Sequence, residues 1–140
     1  MNAVDAVETR LKVVVYSDNH QTRAIVKRAL GRRVATDLSE LDLVEVATEP
    51  ALIALADKGG IDLLVLDGEA APAGGLGVCR QLKDEIFNCP PVLVLIARSQ
   101  DAWLAHWSKA DAVVAAPYDP FEMALAAAEL LRVRVGLTTA

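Results

Sequence analysis

The sequence predicts a doubly wound α/β domain built on one parallel five-stranded sheet, and three observations carry that reading. Five short apolar runs recur at fairly regular intervals along the 140 residues. Four of the five lack polar alternation, as strands buried on both faces do. A stretch with helical periodicity follows each run, and repeated strand–helix alternation builds a parallel sheet with helices on both faces. At 54% hydrophobic residues the chain can bury a core, and its length suits a single domain.

The first run, Leu11–Tyr16, is followed by a helix over 21–33 with Ile25, Val26, Ala29 and Leu30 on one stripe. The second run, Leu41–Val46, alternates through Asp42 and Glu45, as a half-exposed edge strand should. Thr48 is placed to cap the next helix, Ala51–Lys58, with Pro50 in its first turn and Gly59-Gly60 as its stop. The third run is Ile61–Leu66, and Leu76, Cys79, Leu82 and Ile86 mark the helix behind it. Pro91–Ala97 reads as the fourth strand, after which Ser99 is placed to cap a short helix near 100–108. Ala112–Ala116 is the fifth strand, and Phe121, Ala124, Leu125, Ala128 and Leu131 mark the last helix. Right-handed crossovers then give the flavodoxin-like order 2-1-3-4-5, which puts the alternating second strand at an edge. The chain thus divides into an extension at 1–10, a domain at 11–133 and a tail at 134–140, whose end VGLTTA is expected to fray.

Composition excludes several functions. Fourteen Lys and Arg against nineteen Asp and Glu leave a net charge of −5, which disfavours nucleic-acid binding. Aromatic residues, at 4%, are too few for base-stacking platforms. Cys79 and Cys89 make neither a disulfide framework nor a C-x-x-C metal motif, and they suit a reducing cytoplasm. Asp5 and Glu8 interrupt the first ten residues, so no signal peptide is expected there. The apolar run Val92–Ala97 falls far short of the ~18 residues of a membrane span.

Ligands of such sheets sit beyond the carboxyl ends of the strands at the topological switch point, here between strands 1 and 3. Strand 1 ends Val15-Tyr16-Ser17-Asp18-Asn19 and strand 3 ends Val65-Leu66-Asp67-Gly68-Glu69. Asp18 and Asp67 therefore converge on one crevice, where like charges repel unless a cation sits between them. Hard oxygen ligands with room for water suit Mg²⁺. A strand-terminal Asp is also a common turn former, but two of them at the switch point favour a site. A flavin nucleotide would need a Gly-, Ser- or Thr-rich turn after strand 1; Ser17–Gln21 has no Gly and carries an anion-repelling Asp. No nucleophile elbow, phosphate-binding loop or His-bearing strand end marks an enzyme.

From Leu11 to Val133 these features resemble the receiver domain of two-component response regulators. The resemblance implies that Asp67 is the phospho-acceptor, with Mg²⁺ held by Asp18, Asp67 and the backbone carbonyl of Glu69. The family's acidic pair reads Ser17-Asp18 here, so one acid is replaced. Pro72 and Gly75 resemble the Pro and Gly of the family's loop after the acceptor, with Pro72 one residue further along. CPPVLVLIA resembles its fourth strand and AAPYDPFEM its entry to the last helix. Ile96 stands where the family has Ser or Thr, Ala116 where it has the phosphate-pairing Lys, and Val113 at its aromatic switch position. The resemblance therefore implies an atypical receiver, or pseudo-receiver, with inefficient phosphorylation. No effector domain follows in the sequence, so a stand-alone module acting through protein contacts is expected. The family uses helix 4, strand 5 and helix 5 for output and homodimers, and helix 1 for docking a sensor histidine kinase.

Trp103 and Trp107 lie four apart on the short helix and share a face, either filling the groove against the sheet or offering a partner patch. The first helix gathers Arg23, Lys27, Arg28, Arg32 and Arg33, a solvated face or a protein-docking one. His20 and His106 have no second ligand at metal spacing and read as surface residues.

Overall fold

The five apolar runs pair in parallel in the order β2-β1-β3-β4-β5 in a computed structural model that describes residues 9–136. The strands are β1 (Leu11–Tyr16), β2 (Leu41–Val46), β3 (Leu63–Asp67), β4 (Val92–Ile96) and β5 (Ala112–Ala115). The helices are α1 (His20–Leu30), α2 (Glu49–Lys58), α3 (Gly75–Glu85), α4 (Ala102–Trp107) and α5 (Pro120–Arg134). The first eight residues of the expected extension, and 137–140 of the expected tail, lie outside the described residues. No helix among the described residues is long and apolar enough to cross a membrane.

Alternation of side chains along each strand divides the core into two layers. Val13, Val15, Leu63, Val65, Leu93, Leu95 and Val114 face α1 and α5, where Val26, Leu30, Met123, Ala127 and Leu131 cover them. Val14, Leu64, Leu66, Val92, Val94 and Ile96 face the other way, under Leu52, Ala56, Val78, Cys79, Leu82 and Ala105. Every residue of β3 and β4 is buried, whereas β2 exposes Asp42 and Glu45 at the sheet edge. Arg132 of α5 grips Asp37 with two hydrogen bonds of 2.8 and 3.0 Å, tying the α1–β2 connection to the last helix.

Thr48 caps α2 through its hydroxyl, Pro50 sits in the first turn, and Gly59 at φ 81° ends the helix, as expected. Several boundaries differ from the sequence reading: α2 begins at Glu49, β4 is a residue shorter at each end, β5 is a residue shorter at its second end, and three further differences have a visible cause. Helix α1 stops at Leu30 rather than 33, because Gly31 takes φ 61° and its N–H turns back to the Lys27 carbonyl. Strand β3 begins two residues late: Asp62 instead bridges to Lys12, accepting its backbone N–H at 2.9 Å. Ser99 opens a 3₁₀ turn, Ser99–Asp101, that precedes α4, and makes no capping bond to it.

Burial pushes the Cys79 thiol up from 9.0 to about 11, and burial likewise raises the Tyr16 and Tyr118 phenols. Each group holds its proton more tightly folded than unfolded. The stability this lends is complete below the unfolded values and is lost as pH climbs through them toward the folded ones. Urea midpoints should therefore fall between about pH 9 and pH 11, and Cys79→Ala should flatten that decline. An identical decline in the variant would assign it elsewhere.

Candidate functional site

Strands β1 and β3 are direct neighbours, with Tyr16 opposite Leu66 in register. The next residues along, Ser17 and Asp67, therefore arrive side by side at the carboxyl edge of the sheet. Asp67 closes β3 and is only 4% exposed. The Ser17 hydroxyl lies 2.7 Å from Asp67 Oδ2, and the Glu69 N–H donates to Oδ1 at 2.8 Å. A carboxylate only accepts, so the hydroxyl donates to it, while Ser17 Oγ itself accepts the Asn19 N–H at 3.0 Å. Both oxygens of Asp67 are thus satisfied, as a buried carboxylate requires. The turn-forming role and the convergence of the two strand ends turn out to be compatible: Asp67 does both.

Asp18 is exposed and belongs to the same crevice through the β3–α3 loop, where its Oδ1 accepts the Ala71 N–H at 3.1 Å. Tyr16 is buried, and its hydroxyl donates to the Ala73 carbonyl at 2.6 Å. Close backbone approach fixes both ends of the loop. A Cβ on Gly68 would come within 2.6 Å of the Leu95 carbonyl oxygen, and one on Gly75 within 2.5 Å of the Asp67 carbonyl oxygen. Arg23 braces the other side of the crevice, its Nη1 donating to the Ser17 carbonyl at 2.6 Å and its Nε to Glu45 at 3.1 Å. Of the five basic residues gathered near the first helix, Arg23, Lys27 and Arg28 lie on α1 itself, and Arg23 is a structural tie rather than a free docking charge.

The electrostatics of the crevice show in its phenols. Tyr16 is raised first by burial, then by the negative charges of Glu49, Asp18 and Asp67. Tyr118, after β5, is raised by burial and then by Asp67 and Glu69. Two carboxylates with a main-chain carbonyl fit Mg²⁺, which takes one or two carboxylates and fills its other positions with water. No group of three or more His, Cys, Asp or Glu that could hold a metal occurs among the described residues. Ser17 stands where a further acid would complete one.

The remaining predicted positions lie on β4, α4 and β5 or just after β5. Ile96 is buried at the end of β4, and its carbonyl accepts the Ala116 N–H at 2.9 Å. Ala116 is exposed, and Val113, paired with Val94, is 38% exposed. None of these three side chains offers a hydrogen-bonding group toward Asp67. Trp103 and Trp107 are 66% and 49% exposed, which favours the patch over the groove filler. The Arg80 guanidinium sits 5.2 Å above the Trp107 ring and donates to the Trp107 carbonyl, so that ring also fastens α4 to α3. His20 and His106 are both exposed. The roles of Ser17, Tyr16 and Arg23 escape sequence reasoning. The available signal was a hydroxyl at each of two successive positions ending an otherwise apolar run.

No protein-family model matches the chain. Two response regulatory proteins described as uncharacterized, from Mycobacterium tuberculosis strains CDC 1551 and H37Rv, are each 55% identical over 124 residues. The match covers 89% of this chain and 93% of theirs. The fold is similar to the receiver domain of the Francisella response regulator 1452, with a TM-score of 0.74 at 17% identity over 89% of this chain and 98% of that one. It is similar also to a receiver domain from a Vibrio parahaemolyticus LuxO-type repressor, with a TM-score of 0.74 at 16% identity over 91% and 94%. A BeF3-activated DrrB receiver domain superposes with a TM-score of 0.68 at 18% identity over 89% and 99%.

Two substitutions test the geometry. Ser17→Ala strips the donor from a buried carboxylate oxygen and should cost about 1.5–3 kcal/mol in urea unfolding. Gly75→Ala should cost about 1–3 kcal/mol by overpacking against the Asp67 carbonyl. Gly77→Ala, two residues on in the same helix with open space around it, should stabilise by about 0.5–1 kcal/mol. Equal effects at 75 and 77 would contradict the close approach.

Proposed function

The chain belongs to the response regulatory proteins of two-component signalling, and from that premise we propose that it is an atypical receiver whose Asp67 accepts a phosphoryl group slowly. The observation that carries this reading is the pairing of a retained acceptor crevice with altered switch positions. Asp67 sits buried at the end of β3 with Asp18 on the neighbouring loop. Ile96 and Ala116 occupy the positions from which a hydroxyl and an amine would reach the phosphoryl group.

Asp18, Asp67 and the Glu69 carbonyl would hold Mg²⁺, which supplies neutralising charge to the transferring phosphoryl group. The chain's own residues orient the acceptor: Ser17 and the Glu69 N–H fix the Asp67 carboxylate. Loss of one preorganised donor from such a site costs about 10²–10³ in rate, or ~3–4 kcal/mol, and here the Lys amine is lost. A buried apolar Ile96 adds to the cost of placing phosphate charge beside it. Output then runs through protein contact on α4, β5 and α5, with Trp103 and Trp107 as anchors and a second copy or another protein as partner. A sensor histidine kinase in the cytoplasm is the phosphoryl source this reading implies, and the domain is a signalling module rather than an enzyme.

Intact-mass analysis after incubation with Mg²⁺ and acetyl phosphate should show slow gain of one phosphoryl group, abolished by Asp67→Asn. No adduct after prolonged incubation would remove the acceptor role. With a partner in hand, calorimetry should find Asp67→Ala changing affinity by less than about threefold, or ~0.6 kcal/mol. Trp103→Ala should cost about 2 kcal/mol. The reverse pattern would mean that the 4–5 face senses Asp67 after all.

A further inference from the structure

We propose that Tyr16 and Asp18 form a two-point strap closing the β3–α3 loop beside Asp67, with Tyr16 as fixed anchor and Asp18 as the point a divalent cation releases. The loop is pinned at both ends by backbone contact. Gly68 and Gly75 press on the Leu95 and Asp67 carbonyls, and a Cβ on Gly74 would stand 3.0 Å from the Gly68 carbonyl oxygen. Between them, Glu69 and Ala70 are tied back to Asp67 by their N–H groups, and the two strap bonds hold the rest of the loop, at Ala71 and Ala73.

The two bonds differ in kind. The Tyr16 phenol is 1% exposed, rises from the core layer under α2 and α3, and reaches the Ala73 carbonyl at 2.6 Å. This bond joins a neutral hydroxyl to a neutral carbonyl from within the core, so a cation is drawn to it far less than to the exposed Asp18 carboxylate. The Asp18 bond is 3.1 Å long and exposed, and its acceptor is one of the oxygens a hard cation would take. A net hydrogen-bond contribution of this size is modest, so cation binding can displace it. Tyr16 is therefore a positioning residue: it keeps the Ala73 end of the loop in place while Asp18 exchanges one partner for another. The release half of this proposal rests on the Mg²⁺ part of the reading above, not on phosphoryl transfer to Asp67; the anchor half rests on neither.

Amide hydrogen exchange followed by NMR during an MgCl₂ titration tests both halves on the intact chain. In the wild type the Ala71 amide should be protected without metal and exchange up to about tenfold faster at saturating Mg²⁺. Asp18→Asn keeps an oxygen for the Ala71 N–H but removes the charge, so protection should persist and the Mg²⁺ response vanish. Tyr16→Phe should speed exchange of the loop amides about tenfold with or without Mg²⁺, and raise the Mg²⁺ midpoint severalfold. An Ala71 amide indifferent to Mg²⁺, whether or not other resonances shift, overturns the release; a Tyr16→Phe loop as protected as wild type overturns the anchor. Should this exchange pattern appear while acetyl phosphate leaves Asp67 unlabelled, the strap stands and the acceptor reading falls. Labelling of Asp67 without the exchange response leaves the acceptor reading standing and sinks the strap.

Discussion

A carboxylate buried at a strand end must have a donor for each oxygen, and at Asp67 that requirement fixes much of what surrounds it. One donor, the Ser17 hydroxyl, comes from the neighbouring strand, so β1 and β3 must lie adjacent with Tyr16 level with Leu66. The other, the Glu69 N–H, comes from the chain immediately beyond, so the backbone must turn directly after β3. The turn in turn leaves no space for side chains at Gly68 and Gly75, where the chain doubles back against Leu95 and Asp67. Sheet order, loop path and helix α3's starting point thus all meet at one carboxylate.

The two core layers make that arrangement possible. Full burial of β3 and β4 on both faces holds the strand ends rigidly, while polar groups that face the crevice find partners within it. No buried side-chain nitrogen or oxygen among the described residues lacks a hydrogen-bond partner. The ion pairs that remain, such as Arg132 with Asp37 and Lys109 with Asp84, are exposed and tie connections to helices rather than building the core. Their carboxyls are held below the ordinary range by the facing cations, but solvent screens such pairs.

The fold was legible because its signals are periodic and repeated: apolar runs without alternation, one run with it, and Gly or Pro at the breaks. The edge position of β2 followed from Asp42 and Glu45 alone. Boundaries were less legible where one residue decides them, as Gly31 does through a positive φ and Asp62 through its bond to Lys12. At the site, Asp18 and Asp67 could be placed because they are charged groups ending apolar strands. Ser17 and Tyr16 could not be given their partners. A hydroxyl's role depends on which loop passes within 3 Å of it, and sequence spacing of 50 or more residues carries no such information. The exposure of the two Trp rings was likewise undetermined, since helical spacing gives a shared face but not the side it turns to.

On the proposed reading of the site, the departures from the family pattern also bear on one another. Replacing an acid of the pair by Ser17 removes one negative charge from the crevice, and replacing the Lys by Ala116 removes one positive charge, so the local balance is unchanged. Had the Lys alone been lost, a second carboxylate would face Asp67 with nothing to offset the repulsion. Ser17 instead turns a like charge into a hydrogen-bond donor, and its 2.7 Å bond takes over the satisfaction of Asp67 that an amine would supply. What it cannot take over is reach. An amine after β5 would link the acceptor to that strand, whereas Ser17 follows β1 and links it to α1 through Asn19 and Arg23. On that reading the two substitutions together leave the crevice folded and its acceptor tied, through Ser17, to the first helix.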